Sequence, residues 1–392
     1  MKIKLGVFMG GRSVEHEISI VTALQAINAF DKEKYEVVPV YIAKTGEMYT
    51  GDALLDIDNY RDLKKLVITA TRVVPVSEGD EILLMKYPPV KIFGNNEVNR
   101  IQIAFPIVHG TNVEDGTLQG FFELYNIPYV GCDVMSSAIG MDKVIMKKVL
   151  KDEGISIVDY QYFYFRDWRK NSETLIQSIE EKIGYPVIIK PANLGSSVGI
   201  SKASNRADLE ESVELAGKFA MKIIVERAIT NLREINCSVI GDVINAQASV
   251  CEEPVGNDEI LSYNDKYVSN SKGSSKGMSS TKRKLPADLS LEQSGQIRQM
   301  AIDTFQVLGC SGVSRIDFLM DYIEGKIYVN EINTIPGSLS FYLWEATDKP
   351  FTKMLDELIE GAFKRKRERA NLMFTYTENI LSLGGGLKGG KK

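Results

Sequence analysis

The sequence predicts an α/β fold, and this prediction rests on three stretches near its start. Residues 4–9 are apolar and are typical of a buried strand, and residues 14–30 have the pattern of a helix. A second apolar run at 35–43 predicts the next strand. The chain therefore opens with a strand, a helix and a strand, the unit from which α/β domains are built.

The predicted elements continue along the chain after a charged and less regular stretch at 51–100. A strand at 101–106 is followed by a helix at 117–125, and a helix at 141–154 carries four lysines. Two further strands are predicted at 185–190 and 223–226.

Changes in composition divide the chain into three predicted domains and a tail. We expect an α/β domain at 1–140, a central domain at 141–225, a C-terminal domain at 226–365 and a tail at 366–392, whose distal part is rich in Gly and Lys and predicted to be disordered. Residues 266–286 are rich in Ser, Gly and Lys and have few apolar side chains. They predict a mobile surface loop in the C-terminal domain.

Composition excludes several classes of protein. With 392 residues, 44% apolar residues and a net charge of −5, the chain is predicted to be soluble and is not a nucleic-acid binder by bulk charge. No apolar stretch is long enough to span a membrane, and the apolar run at the N-terminus ends at Gly10. The four cysteines are scattered, so we expect core residues in a reducing cytoplasm rather than a disulfide framework.

Two stretches near the C-terminus predict a hairpin with an unusual polar face. If residues 323–325 form a three-residue loop, with Gly325 at positive φ, then Asp317 lies opposite Glu331 and Arg315 lies opposite Asn333. Two like charges directly opposite each other repel, and a cation between them removes the repulsion. The other face is predicted to carry Ile316, Phe318, Met320, Tyr328 and Ile332 toward a core.

Carboxylate and amide oxygens on a rigid sheet suit Mg²⁺, which takes few protein oxygens and leaves its other positions to water and phosphates. The alternative is a solvated hairpin face on which Arg315 neutralises Asp317. A His-rich metal site is excluded, because the chain has two histidines.

Other candidate sites are ambiguous when each is considered alone. The turn at 195–199 follows the strand that ends in Lys190, so it could bind phosphate oxygens, or it could be a plain Gly/Ser turn. Ser13 could cap a helix whose first turn favours Glu15, and His109 could be a satisfied histidine at a strand end. The glycines near the N-terminus do not form a dinucleotide-binding fingerprint.

Seven blocks, taken in order, resemble the D-alanine–D-alanine ligases of the ATP-grasp superfamily. The blocks are GGRSVEHEIS (10–19), HGTNVEDGTLQG (109–120), GMDKVIMKKVL (140–150), IIKPANLGSSVGI (188–200), DKY (265–267), SRIDF (314–318) and NEINTIPG (330–337). This resemblance implies an ATP-grasp fold, with an α+β C-terminal part and an N-terminal Rossmann-like domain.

The resemblance also implies an activity. Such enzymes use ATP to phosphorylate the carboxylate of one D-alanine, and the amine of a second D-alanine attacks the acyl phosphate to give a dipeptide for peptidoglycan synthesis. It implies two Mg²⁺ ions, with Mn²⁺ as a substitute, and a homodimer. The alternative is another ATP-grasp carboxylate–amine ligase with a different acceptor, such as D-serine.

Roles for individual residues follow from the resemblance, position by position. The implied metal ligands are Asp317, Glu331 and Asn333. The implied ATP-binding residues are Lys143, Lys190, Gly195, Ser197, Val198, Glu226, Glu234 and Lys266. The implied catalytic residues are Glu15, Ser196, Tyr267, Arg315 and Gly337, and the implied substrate contacts are His109, Ser338, Tyr342 and Leu343.

Two departures from the family pattern concern the acceptor and the lid. Tyr342 stands where the family usually has a serine that binds the carboxylate of the second substrate. The loop at 266–286, which the resemblance identifies as a lid over the acyl phosphate, is long and basic. Tyr267 stands where depsipeptide-forming relatives tend to have histidine, and this favours an amine nucleophile over D-lactate.

Overall fold

The computed structural model describes residues 2–90, 95–195, 198–255 and 283–375. Residues 266–282 of the predicted lid and residues 376–392 of the predicted tail lie outside these ranges. Within the described ranges, no helix combines the length and the apolar character needed to cross a membrane.

The N-terminal part is a seven-stranded sheet in the order β6-β5-β4-β3-β2-β1-β7, in which β1 runs parallel to β2 and β7. Its strands are β1 (Ile3–Gly10), β2 (Tyr35–Ile42), β3 (Met48–Thr50), β4 (Thr71–Glu78), β5 (Glu81–Lys86), β6 (Glu97–Ile101) and β7 (Ile103–Pro106). The accompanying helices are α1 (His16–Ala29), α2 (Leu63–Thr69), α3 (Thr117–Leu124) and α4 (Val134–Met141), with 3₁₀ turns at Asp52–Leu55 and Ile57–Arg61.

The strand-helix-strand opening is confirmed, whereas the irregular stretch predicted at 51–100 is wrong. That stretch contains α2 and the antiparallel strands β4 and β5, and β6 begins at its end. In β4 only Val73 is buried, so the strand shows little of the apolar alternation that would reveal it in the sequence.

The central part is a four-stranded antiparallel sheet in the order β10-β9-β11-β8. Its strands are β8 (Tyr160–Tyr164), β9 (Val187–Pro191), β10 (Ser201–Ala203) and β11 (Lys222–Arg227), and its helices are α5 (Lys143–Asp152), α6 (Phe165–Lys182) and α7 (Arg206–Ala216). The helix predicted at 141–154 begins at Lys143, because Asp142 interrupts it and accepts hydrogen bonds from the backbone of Val144 and Ile145.

The C-terminal part is a five-stranded antiparallel sheet in the order β14-β13-β12-β15-β16. Its strands are β12 (Leu232–Gly241), β13 (Ala246–Pro254), β14 (Arg283–Lys284), β15 (Gly312–Asp321) and β16 (Lys326–Asn333). The remaining helices are α8 (Leu291–Val307), α9 (Phe341–Glu345) and α10 (Phe351–Ala370), with a 3₁₀ turn at Gly337–Ser340.

The last helix, α10, connects the C-terminal part to the N-terminal sheet. Its residues Met354, Leu355, Leu358 and Ile359 are buried in the same apolar cluster as Phe8 of β1. Burying each such side chain contributes about 1.5–3 kcal/mol. The segment between β16 and α10 is therefore fixed against the N-terminal part of the chain, and this segment lines the site.

Candidate active site

The β15–β16 hairpin places its polar residues as predicted. Arg315 lies opposite Asn333 and Asp317 lies opposite Glu331. Gly325 has a φ of +68°, the left-handed conformation that a glycine adopts without strain.

This pairing results from a longer loop and a bulge, neither of which was predicted. Asp321 pairs with Lys326, so the loop has four residues rather than three, and this moves the register by one position. A bulge that opposes Asp317 with both Asn330 and Glu331 moves it back. Tyr328 is therefore not on the apolar face where it was predicted, and the buried side chains of β16 are Ile327, Val329 and Ile332.

Each of the two facing carboxylates, Asp317 and Glu331, is neutralised by a cation. Arg315 donates two hydrogen bonds to Asp317, at 2.6 and 2.7 Å, and Asn333 Nδ2 donates a third at 3.1 Å. Glu331 Oε2 lies 3.0 Å from Lys143 Nζ. Burial alone would lower the pKa of Arg315, but Asp317 raises it well above its usual value. The predicted pairing of Arg315 with Asp317 is present, yet Arg315 is only 7% exposed, so this is not a solvated face.

The hairpin has a donor set that fits a hard divalent cation. Its carboxylates come from Asp317 and Glu331, and an amide oxygen is available from Asn333 on the same face. Among the described residues no group of three or more His, Cys, Asp or Glu side chains could hold a metal, and the predicted set contains only two carboxylates. Protein ligands this few suit Mg²⁺, which keeps waters and phosphate oxygens in its other positions.

Lys143 links the hairpin to the turn that begins at Gly195. Besides contacting Glu331, its Nζ donates to the carbonyl oxygen of Leu194 at 2.9 Å. A Cβ added at Gly195 would lie 3.0 Å from Glu15 Oε2, so any larger residue would require the Glu15 carboxyl group to shift by a few tenths of an ångström. Val198, half-buried, continues the turn, whereas Ser196 and Ser197 lie outside the described residues, as do Lys266 and Tyr267.

A second cluster lies beside the hairpin and consists of the buried charges of Lys147, Lys190 and Glu226 together with the half-buried Asn330. Lys190 Nζ donates to Glu226 Oε2 at 2.7 Å and to Asn330 Oδ1 at 2.8 Å, and Lys147 Nζ lies 3.1 Å from Glu226 Oε1. Burial would raise the pKa of Glu226, but the two lysines lower it to about 2. Burial lowers the pKa of Lys147.

Sequence reasoning missed the roles of Lys147 and Asn330 in this cluster. Lys147 follows Lys143 by four residues, which places both on one face of a helix, and this spacing was the available signal. No sequence signal indicated Asn330, because only the bulge turns its side chain toward Lys190. Glu234, also predicted to contact ATP, lies on β12 opposite Leu319 and is half-buried.

One cavity brings together residues that are distant in the sequence. Of the predicted site residues, those that line it are Glu15, His109, Lys143, Gly195, Arg315, Glu331, Asn333 and Gly337. It is also lined by Glu114, Gly140, Met141, Ile332, Thr334 and Ile335. Acidic, basic and backbone groups thus meet in a single space lined by the β15–β16 hairpin, the turn after β9 and residues of the N-terminal part.

Glu15 and Glu114 are two buried carboxylates on the N-terminal side of this cavity. Helix α1 begins at His16, so Glu15 rather than Ser13 is at its N-cap, and Ser13 Oγ accepts from the Glu15 amide at 3.1 Å. Burial, and then the charge of Glu15, raise the pKa of Glu114 to about 8. Gly110 lies next to both carboxyl groups. Its φ is +84°, and a Cβ added there would lie 2.8 Å from Glu15 Oε2.

His109 lines the cavity and is held at both its backbone and its ring. Its amide donates to Ser19 Oγ at 2.8 Å, and its Nε2 lies 3.0 Å from Thr22 Oγ1. Burial lowers the pKa of His109 to about 4. The imidazole is therefore neutral at neutral pH.

The segment after Gly337 has an unusual backbone. Ser338, Leu339 and Ser340 have φ values of 52°, 49° and 52°, a left-handed run without glycine. Each such residue costs roughly 1–2 kcal/mol, so the surrounding contacts must hold the run in place. The burial of all three side chains supplies part of that support.

Three predicted substrate contacts, Ser338, Tyr342 and Leu343, are buried behind the cavity wall rather than among the lining residues. Tyr342 donates its hydroxyl to Glu252 Oε1 at 3.0 Å, and the guanidinium of Arg283 lies 3.9 Å from the centre of its ring. Burial raises the pKa of Tyr342. The roles of these three residues toward substrate stay predictions.

Comparisons with known proteins agree with this geometry. The family described as D-ala D-ala ligase N-terminus matches residues 4–132, and the family described as D-ala D-ala ligase C-terminus matches residues 149–360. The chain belongs to the D-alanine–D-alanine ligase family. The predicted α/β fold of the ATP-grasp type is confirmed, because D-alanine–D-alanine ligases are among its structural neighbours.

Individual relatives cover nearly the whole chain. The D-alanine–D-alanine ligase of Thermosipho melanesiensis is 40% identical over 97% of this chain and 99% of its own, and that of Geobacillus kaustophilus is 39% identical over 96% and 99%. The structure of the enzyme from Coxiella burnetii is 31% identical, covers 94% of this chain and 96% of its own, and has a TM-score of 0.78. VanG D-Ala:D-Ser ligase from Enterococcus faecalis is 30% identical over 92% and 100%, with a TM-score of 0.75.

Proposed function

We propose that this protein joins two D-alanines at the expense of ATP and so supplies D-alanyl-D-alanine for peptidoglycan precursors. The observation that carries the proposal is the cavity in which Glu15, Lys143, Arg315 and Glu331 meet. An anion for an ammonium group, cations for phosphate and oxyanion, and carboxylates for a metal are all required by this reaction. The relatives' names support the choice of D-alanine.

The hairpin is the proposed metal site. Asp317, Glu331 and Asn333 would hold two Mg²⁺ ions, or Mn²⁺ in their place, and these ions would neutralise charge on the ATP phosphates during phosphoryl transfer. Arg315 pairs with Asp317 and Lys143 pairs with Glu331, so both cations lie at the proposed metal site.

Proposed ATP contacts surround this hairpin. Lys143 and Lys190 contact phosphates, and the turn formed by Gly195, Ser197 and Val198 covers the γ-phosphate, with Lys266 at the start of the lid. Glu226 and Glu234 face adenine and ribose. The buried pairing of Glu226 with two lysines would hold one of those lysines, Lys190, in a fixed position toward the phosphates.

The remaining proposed roles concern the two amino acids. Glu15 binds the ammonium of the first substrate and forms a triad with Ser196 and Tyr267, and His109 lies on the same side. Arg315 and the backbone N–H of Gly337 stabilise the tetrahedral oxyanion. Ser338, Tyr342 and Leu343 shape the acceptor side. The lid predicted at 266–286 excludes water from the acyl phosphate, although its last part is not a loop, because Arg283 and Lys284 form β14.

Three further expectations from the sequence are also proposals. They are a homodimer, a cytoplasmic location, and a division into domains at 1–140, 141–225 and 226–365 with a tail at 366–392. D-Serine as the acceptor is not favoured, because the relatives at 37–40% identity are D-alanine–D-alanine ligases.

The test is a substrate panel with the purified chain, ATP and Mg²⁺. Incubation with D-alanine, L-alanine, or D-alanine plus D-serine is followed by measuring ADP and by mass spectrometry of the dipeptides. We expect ADP and D-alanyl-D-alanine with D-alanine and neither with L-alanine. Absence of D-alanine-dependent ADP formation would contradict the ligase activity, and a dominant mixed dipeptide would change the acceptor to D-serine.

A further inference from the structure

Three side chains from the N-terminal part of the chain hold the segment on either side of Gly337. Glu114 is the first: its Oε1 accepts from the amide of Ile335 at 2.9 Å and from the hydroxyl of Thr334 at 3.3 Å. Its other oxygen accepts from the amide of Gly110 at 2.9 Å. The carboxyl group of Glu114 therefore connects the turn at Gly110 to the backbone just before Gly337.

Thr22 and His109 hold the other side of the same glycine. Thr22 Oγ1 accepts from the amide of Ser338 at 3.1 Å, and His109 Nε2 lies 3.0 Å from the same oxygen. Because the hydroxyl oxygen accepts from Ser338, its own proton can be donated to Nε2. The neutral ring then carries its proton on Nδ1.

These contacts leave Gly337 between two fixed points, at Ile335 and at Ser338. Thr22, His109 and Ser338 are at most 3% exposed, so water does not compete well for their hydrogen bonds. An oxyanion donor works only when its N–H points at the place where charge develops, and small displacements are costly. The left-handed run after Gly337 makes an external support for this backbone necessary.

We propose that Thr22, acting with His109 and Glu114, is a positioning residue that aims the Gly337 N–H at the reacting carbonyl. This rests on the proposed ligase function and adds to it a residue of α1 that does not line the cavity. His109, which lines the cavity, then also acts on the Gly337 backbone through Thr22. Thr22, His109 and Glu114 thus support the Gly337 N–H, which stabilises the transition state more than it stabilises the bound substrates.

The test compares Thr22→Val, which keeps the shape and loses the hydroxyl, with Thr22→Ser, which keeps the hydroxyl. We expect kcat to fall about tenfold to a hundredfold in Thr22→Val, the range for a misplaced transition-state donor. KM for ATP and for D-alanine should change by less than about twofold, because the substitution leaves the contacts that bind the substrates before reaction unchanged. Thr22→Ser should stay within about threefold of the wild type in kcat.

Thr22→Ala removes the same hydroxyl without putting a methyl group in its place and serves if Thr22→Val does not fold. It should lower kcat by a similar factor without raising either KM. A thermal midpoint that falls while kcat is unchanged would overturn the proposal, as would a raised KM with unchanged kcat. A wild-type protein that forms no dipeptide would instead overturn the proposed function itself.

Discussion

Removing the positive charge of Lys147 should destabilise the central part of the protein. Its Nζ lies 3.1 Å from Glu226 Oε1, and neither side chain is more than 1% exposed. At an effective dielectric of about 20, the attraction at this distance is about 5 kcal/mol, and desolvation of the two ions cancels part of it. Breaking a buried pair typically costs about 3–5 kcal/mol. Because Lys190 still pairs with Glu226 in Lys147→Met, we expect the lower end, about 3 kcal/mol.

The assay is urea unfolding followed by tryptophan fluorescence, with Trp168 of α6 reporting on the central sheet. Lys151→Met is the matched control, because Lys151 lies one turn further along α5 and is exposed. This control should lie within about 0.5 kcal/mol of the wild type. A loss below about 1 kcal/mol in Lys147→Met, or an equal loss in both variants, would refute the electrostatic reasoning.

Three further predictions concern the metal, the pH dependence and the acceptor side. Glu331→Gln should lower turnover roughly a hundredfold while Glu324→Gln, in the exposed hairpin loop, leaves it unchanged, and near-normal activity of Glu331→Gln in saturating Mg²⁺ would argue against the metal site. Because burial lowers the pKa of His109 from 6.5 to about 4, this residue binds more protons in the unfolded chain in that window, so its contribution to the free energy of unfolding falls as the pH falls. His109→Gln should remove about 2 kcal/mol of that fall between pH 8 and pH 5, measured with urea, and parallel profiles would contradict this. Tyr342→Phe removes a hydrogen bond to the buried Glu252 carboxylate, so its free energy of unfolding should drop by about 1.5–3 kcal/mol, and no drop would show that the bond contributes nothing.

The local pattern of the chain predicted the elements around the site better than it predicted their details. The alternation of polar and apolar residues in β15 placed Arg315 and Asp317 on one face, and that face is observed. The predicted loop was one residue too short, and the bulge at Asn330 compensates for it. Neither departure could be read from the sequence, because loop length and bulge both depend on how the hairpin packs.

Contacts between distant parts of the chain were the hardest to predict. Thr22 and Ser338 are separated by 316 positions, and nothing in the neighbourhood of either residue indicates that they meet. The same holds for Glu114 and Ile335, which are 221 positions apart. Such pairs depend on α10 packing the C-terminal segment against the N-terminal sheet. The resemblance to the family indicated the site residues, whereas only the structure shows the contacts that support them.

The central claim is that one cavity couples ATP cleavage to peptide bond formation between two D-alanines. The most direct measurement is the ratio of ADP to D-alanyl-D-alanine, followed over time with purified protein, ATP, Mg²⁺ and D-alanine. We predict one ADP for each dipeptide and a negligible rate of ADP formation without D-alanine. ADP release that continues without D-alanine, or that yields no dipeptide in its presence, would contradict the account.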